Sequence, residues 1–471
     1  MDWDDIVYLS LLLFSLVFGS FFRQIRDPVA KKWTSTVVGF LIALIVSGNS
    51  IYHSIIITLF HAFLVSTASY KIMHIISFTF SFAYLFFFRF APSFGLQYPG
   101  GHTNLIQMIL TLKLVGMTFE LKDTIEGELK GKNDPEFMFR RIPKPSFADV
   151  FHYAYCYSGI ITGPYFSFRT FVDMFITPFA KHAGYKNELM GRLMIVPVLG
   201  VIHLVLNKYW PIEYVFTDEF YNESSIWYRI WYTIPAFGQF RSRIYIGLRL
   251  SEGVCATAGL GCYPAVTDPK PGKGPSKEYA ALTQIANDKL AGVSVEYSYA
   301  TVHSLEFKAD FERRVRPSMK YWNMCVQYWL AEFVYHRFPI KPYRILAVFI
   351  VSSYWHGFYA GYYFTLCSVP MYLIIEDKVY RWIKDWEYSP LVNCIFDVVG
   401  YLYKISIMGY WAFFFRLLTF EASWRYICSI FFLPHIASMG GAYVVSVILA
   451  KLYGDSRKSR RDVLLEHDKR Q

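Results

Sequence analysis

The chain has 471 residues, 54% of them hydrophobic, 20% aromatic and 18% charged, with a mean hydropathy of +0.27. Charge this sparse excludes a disordered chain, a collagen-like fibre and an ordinary soluble enzyme, and the apolar stretches that run from end to end point to an all-α polytopic membrane protein. The excess of 47 Lys and Arg over 36 Asp and Glu, a formal +11, suits anionic membrane lipids on the cytosolic side and not nucleic acid.

The start, Met1 to Asp5, is acidic, which argues against a cleavable signal peptide, so Ile6 to Phe22 reads as the first span. A span takes roughly 20 apolar residues, fewer where its ends are buried in protein. In chain order the next pieces are Thr34 to Gly48, Tyr52 to Thr67, Ile72 to Ala91, Asn104 to Phe119 and Leu193 to Lys208. Ile226 to Ile246, Met319 to Arg337, Tyr343 to Gly357, Gly361 to Ile375, Asn393 to Phe415 and Ile427 to Ala450 complete twelve. The link after the first span carries Arg23, Arg26, Lys31 and Lys32, and the tail carries Lys451, Arg457, Lys458, Arg460, Arg461, Lys469 and Arg470. Positive charge stays in the cytosol, so both should lie there, with the amino terminus lumenal. An odd number of crossings follows, and eleven is expected, with one piece re-entrant or lying flat. The membrane domain should then span 1–450 and a basic cytosolic tail 451–471.

Three polar stretches interrupt the pattern: Glu120 to Asp149, Gly163 to Gly191 and Val266 to Arg316. The third holds Pro269, Pro271, Gly272, Gly274 and Pro275, the signature of a flexible loop, and with the first it is assigned to the cytosol. Asn222-Glu223-Ser224 is a glycosylation sequon on the opposite side. The seven cysteines are scattered and read as packing residues. His61, His74 and His203 read as imidazoles satisfied between helices. The small residues and proline within Tyr155 to Arg169 read as a buried re-entrant bend or as ordinary core packing.

Motifs that would settle another chemistry are missing: no GxSxG, HExxH or GxxxxGK[ST] occurs, and the run from Gly259 to Pro264 breaks the dinucleotide pattern. Polar residues in apolar surroundings remain. Asn323 and Gln327, four apart, should share one face of a helix. His356 puts an ionisable group at membrane depth, where such groups are functional by default. Phe338-Pro339-Ile340-Lys341-Pro342 should be a short turn between antiparallel helices. Asn323 lies about sixteen residues before it and His356 about sixteen after, so each would sit about 25 Å from the turn at equal depth. An imidazole and an amide meeting there suit a general base and an oxyanion or alcohol positioner, although for both residues hydrogen bonding between helices is the competing reading. Arg313, Arg314, Arg316 and Lys320 gather just before Asn323 and suit either the phosphates of an acyl-CoA or anionic lipid.

Trp322-Asn323-Met324 with Trp329-Leu330, Ser353-Tyr354-Trp355-His356-Gly357 with Gly361-Tyr362-Tyr363, and Thr162-Gly163-Pro164-Tyr165-Phe166 together resemble the membrane-bound O-acyltransferases. The aromatic run Phe78 to Arg89 and Thr103-Asn104-Leu105-Ile106-Gln107 resemble the inositol-lipid branch of that family. The resemblance implies a helical chamber, open to cytosol and bilayer, in which an acyl group passes from acyl-CoA to an alcohol. His356 would be the base and Asn323 its partner, with Gln327 and the Arg313, Arg314, Arg316 and Lys320 cluster contacting substrate. The branch implies a 1-acyl lysophosphatidylinositol acceptor, an sn-2 hydroxyl nucleophile and an arachidonoyl-CoA donor. An endoplasmic reticulum membrane is expected, with acyl-CoA as co-substrate and no cofactor. Many relatives carry Pro where this chain has Ala360, which should soften the bend after His356. The same chemistry on another acceptor remains open, as does a transporter, although internal repeats and paired intramembrane charges are not apparent.

Overall fold

In the computed structural model, which describes residues 3–176, 179–286, 295–383, 389–448 and 451, the chain is an all-α membrane protein. It divides into two compact units, one of 1–201, 242–306 and 322–344 and one of 202–241, 307–321 and 345–471. Among the described residues six helical stretches are long and apolar enough to cross a bilayer. A seventh results if Phe420–Ser429 and Leu433–Ile448, bent by 79°, count as one.

The first unit starts with α1 (Trp3–Phe22), α2 (Pro28–Ser47), α3 (Ile51–Thr67), α4 (Tyr70–Arg89) and α5 (Gly101–Leu129). Asp27 accepts the Ala30 N–H at 2.6 Å and Pro28 takes the first helical position, so the basic link ends in a ready-made N-cap. α2, α3 and α4 surround α5, which is buried from Ile106 to Phe119. α5 outlasts the apolar piece Asn104 to Phe119 by ten residues, since Lys122 and Glu126 pair one turn apart at 2.8 Å and the added residues are good helix formers. His61 is satisfied between helices, 2.9 Å from Ser77 Oγ and 3.2 Å from Ser81 Oγ. His74 differs: its ring lies 5.0 Å from that of Phe119 and its Nδ1 is unpaired. Cys156, Cys255, Cys262 and Cys325 are buried free thiols; Cys394 and Cys428, in the other unit, are exposed.

The stretch 155–167 is buried and almost wholly non-helical, so its peptide groups need partners that helices do not supply. Side chains supply some of them: the Tyr153 hydroxyl donates to Phe166 O at 2.6 Å and Cys255 Sγ to Ser158 O at 3.1 Å, and further side chains fasten the flanks. Lys113 of α5, fully buried, donates to Ala154 O at 3.2 Å and lies 4.8 Å from the ring centroids of both Tyr153 and Phe166. Glu120, also on α5, accepts the Phe168 and Arg169 N–H groups at 3.0 and 3.1 Å, where the helix Phe168–Ile176 begins. Tyr8 of α1 is hydrogen-bonded to Thr162 at 2.9 Å.

The proline- and glycine-rich stretch after Val266 is folded and not a free loop. Lys270 N–H donates to Gly274 O and Gly272 N–H to Thr301 O, both at 2.8 Å. Gly272 has φ +70°, and a Cβ there would stand 2.7 Å from the Tyr328 ring, so the stretch packs on the segment after Asn323. A two-stranded ladder pairs Tyr263–Pro264 with Tyr297–Ser298.

The second unit packs Ala360–Ile383 against Pro390–Leu417. Gly361 allows the contact: a Cβ there would lie 2.1 Å from Phe414 O. His203 accepts its expected role, with Nδ1 3.1 Å from Gln239 O. Asn222 is exposed at the end of the helix Asp218–Asn222. The basic tail lies, apart from its first residue, outside the described residues.

Met319 to Arg337 is not one helix. It resolves into Val315–Lys320, a break at 321–323, Met324–Leu330 and a π-helical turn Ala331–Tyr335. The equal-depth count therefore fails on its first arm, where the rise is not that of a continuous helix. The second arm is helical over Arg344–His356, 13 residues.

Gly39 of α2 faces the Tyr155 carbonyl, with only 1.9 Å between a built Cβ and that oxygen. Gly39→Ala should lower stability by about 1–3 kcal/mol or more, read as a drop in the thermal unfolding midpoint in detergent; an unchanged midpoint contradicts this packing.

Candidate active site

Asn323 stands outside the helix that the sequence suggested for it. Its backbone is left-handed, φ 46° and ψ 53°, a conformation that Asn tolerates better than most residues. It occupies the N-cap position of Met324–Leu330, and its carbonyl accepts the Gln327 N–H at 3.0 Å. Gln327 is one turn away, as its spacing implied, but its side-chain amide donates to the Trp322 carbonyl, which ties the two ends of the break together. The Met324 N–H donates to Ser304 O at 2.8 Å, and Cys325 Sγ donates to His303 O at 3.3 Å. The Trp322 ring lies 5.6 Å from that of Tyr245. Asn323 is thus held from both flanks while its side chain remains partly exposed.

His356 belongs to the second unit and ends the helix Arg344–His356. Its ring centroid lies 5.0 Å from Phe415 at 81°, 4.8 Å from Trp355 and 6.1 Å from Tyr362. Aromatic walls of this kind restrict the imidazole to few orientations and lower the local dielectric. Gly357 makes the wall fit: a Cβ there would lie 2.5 Å from the Tyr362 ring. Ala360 is the first residue of Ala360–Ile383, a position whose N–H has no intrahelical partner. Proline is common at that position, and with alanine there the break at 357–359 is present.

Two members of the basic cluster, also in the second unit, are engaged by carboxylates. Arg313 pairs with Asp397, and Arg316 pairs with Asp377 at 2.6 Å. The Arg314 guanidinium lies 3.5 Å from the centroid of the Tyr380 ring. Glu376 accepts the Val315 and Arg316 N–H groups at 2.7 and 3.0 Å. These acids lie more than fifty residues away in sequence, so spacing could not show the pairings. Lys320 is exposed and has no ion-pair partner among the described residues.

Sequence reasoning passed over Glu252, 1% exposed, whose carboxylate accepts the Ser304 and Leu305 N–H groups at 2.7 and 3.1 Å. The available signal was Leu248-Arg249-Leu250-Ser251-Glu252, two ionisable residues continuing an apolar helix.

The left-handed backbone at Asn323 separates main-chain from side-chain effects. Asn323→Gly should leave the thermal midpoint in detergent within about 2 °C of wild type, while the β-branched Asn323→Val should lower stability by about 1–2 kcal/mol. Equal midpoints for the two variants contradict this conformation.

Comparison with known proteins places these motifs. Residues 47–413 match the MBOAT, membrane-bound O-acyltransferase family. The chain is 35% identical over 460 residues to the membrane-bound acylglycerophosphatidylinositol O-acyltransferase of Drosophila melanogaster, covering 93% of this chain and 91% of that one. It is 34% identical to the protein of that name from Xenopus laevis and 31% identical to that from Homo sapiens, with 93% of each chain covered in both cases. Asn323 and His356 both fall within the matched region, and the chain belongs to the membrane-bound O-acyltransferase family.

Proposed function

We propose that the chain transfers a fatty acyl group from acyl-CoA to the sn-2 hydroxyl of 1-acyl lysophosphatidylinositol, re-forming phosphatidylinositol in phospholipid remodelling. The observation that carries this reading is similarity over 93% of the chain to proteins named acylglycerophosphatidylinositol O-acyltransferases. A preference for arachidonoyl-CoA belongs to the proposal and rests on resemblance to the inositol-lipid branch. So does placement in the endoplasmic reticulum membrane with a lumenal amino terminus and cytosolic carboxyl terminus, which rests on the Lys and Arg asymmetry.

In the proposed reaction the sn-2 oxygen attacks the thioester carbonyl of acyl-CoA. His356, neutral, accepts the hydroxyl proton, and Asn323 donates from its amide to the developing oxyanion or orients the alcohol. The tetrahedral intermediate collapses with cleavage of the carbon–sulfur bond, and the imidazolium returns its proton to the departing CoA thiolate. Acyl carbon, proton and leaving group all balance without an acyl-enzyme or a further cofactor. The chamber expected around this centre excludes water, which would otherwise hydrolyse the thioester. Within the basic cluster, Arg314 and Lys320 are the better candidates for CoA phosphate, since Arg313 and Arg316 already neutralise carboxylates.

Purified protein in nanodiscs, assayed for CoA thiol release with a panel of lysophospholipids, should turn over fastest with lysophosphatidylinositol. His356→Ala should lower turnover by about 10²–10⁴ with folded yield unchanged. Retained turnover in that variant removes His356 from the mechanism, and preference for another headgroup removes the acceptor assignment.

A further inference from the structure

We propose that Glu252 is a positioning residue for Asn323, acting through the backbone of 303–305; the proposal rests on the reading of Asn323 as the reacting amide. Glu252 sits in the helix Ile226–Ala258 and is 1% exposed. One carboxylate oxygen accepts from Arg192 Nη1 at 3.0 Å and from Arg249 Nη1 at 2.8 Å. The other accepts the successive N–H groups of Ser304 and Leu305 at 2.7 and 3.1 Å. Ser304 then turns its carbonyl to the Met324 N–H at 2.8 Å, one peptide from Asn323.

This route matters because Asn323 is not fixed by a helix. Its left-handed backbone lies in a break, so its place depends on what grips the residues beside it. On the amino-terminal side the grip is the Gln327 amide on Trp322, and on the carboxyl-terminal side it is Ser304. Ser304 lies outside any helix or strand. Glu252 supplies the missing constraint by accepting two N–H groups with a charged acceptor, the strong form of the bond. The two arginines hold that carboxylate from the opposite side, and Arg192 pairs in turn with Glu188 at 2.8 Å and bonds His303. The charges are therefore mutually compensated, as burial demands, and the geometry of 303–305 is tied to that of the helices Lys186–Leu193 and Ile226–Ala258. A displacement of about 1 Å at a reacting group can cost about a hundredfold in rate, so a constraint two hydrogen bonds away is felt in turnover.

The test uses the full-length protein in nanodiscs. Glu252→Gln should lower turnover about tenfold or more, with the KM for acyl-CoA and for lysophosphatidylinositol within about twofold of wild type. Hydrogen exchange should rise at Ser304, Leu305 and Met324 while α5 keeps its protection. If Glu252→Gln yields no folded protein, Arg192→Lys, which retains the charge and loses the fork, should show the same local exchange and a turnover loss of about threefold. Wild-type turnover, a turnover loss without local exchange, or exchange that rises throughout with a lower thermal midpoint each overturns the proposal. Asn323→Gly is assayed alongside: full activity there removes the reading of Asn323 itself, whereas an inactive Asn323→Gly beside a fully active Glu252→Gln removes only the role of Glu252.

Discussion

A helix-borne glutamate accepting two consecutive backbone N–H groups is the interaction that lets this chain leave the helix while staying buried. A buried peptide group has no water to bond, so each non-helical one inside the protein must find its partner there. Glu120 does this for Phe168 and Arg169, Glu252 for Ser304 and Leu305, and Glu376 for Val315 and Arg316. In the first and third cases the N–H groups open a helix, so the carboxylate also meets the positive end of its dipole. Each unpartnered N–H would otherwise cost about 1–3 kcal/mol.

The two residues with proposed chemical roles sit at helix ends and not in helix interiors. Asn323 precedes Met324–Leu330 and His356 closes Arg344–His356. A helix end frees a side chain from the i±4 neighbours that would crowd it; the helix fixes the backbone at His356, and hydrogen bonds to the neighbouring residues do so at Asn323. Glycine sharpens both ends: Gly272 admits Tyr328 beside the first, and Gly357 admits Tyr362 beside the second. Close packing at these two glycines adds to the constraint on both ends.

What the sequence disclosed follows the range over which its signals act. Apolar runs located α1, α3 and α4 closely, whereas α2 begins at Pro28, six residues before its apolar run, because Lys31 and Lys32 join its first turns. The end of α5 was hidden because Glu120 to Leu129 is charged yet helical, so a polarity boundary and a helix boundary do not coincide. His356 stood out as an ionisable group among apolar residues, and family motifs named Asn323. The conformation of Asn323 was not legible, since a left-handed residue inside an apolar run has no compositional mark. The ion pairs of Arg313 with Asp397 and Arg316 with Asp377 join residues far apart in the chain, and only the fold reveals them. The proline- and glycine-rich stretch carried a loop signature, but Gly272 serves close approach to Tyr328 as much as chain reversal.

The central claim is that one imidazole and one amide, His356 and Asn323, act on a single reacting centre shared by acyl donor and lysolipid. An experimental structure with a bisubstrate analogue, CoA linked to the sn-2 oxygen of lysophosphatidylinositol through a stable tetrahedral mimic, tests it most directly. The account predicts a ring nitrogen of His356 within about 3 Å of the sn-2 oxygen and the Asn323 amide within about 3 Å of the oxyanion or that same oxygen. An analogue bound with either side chain turned into a separate compartment contradicts it.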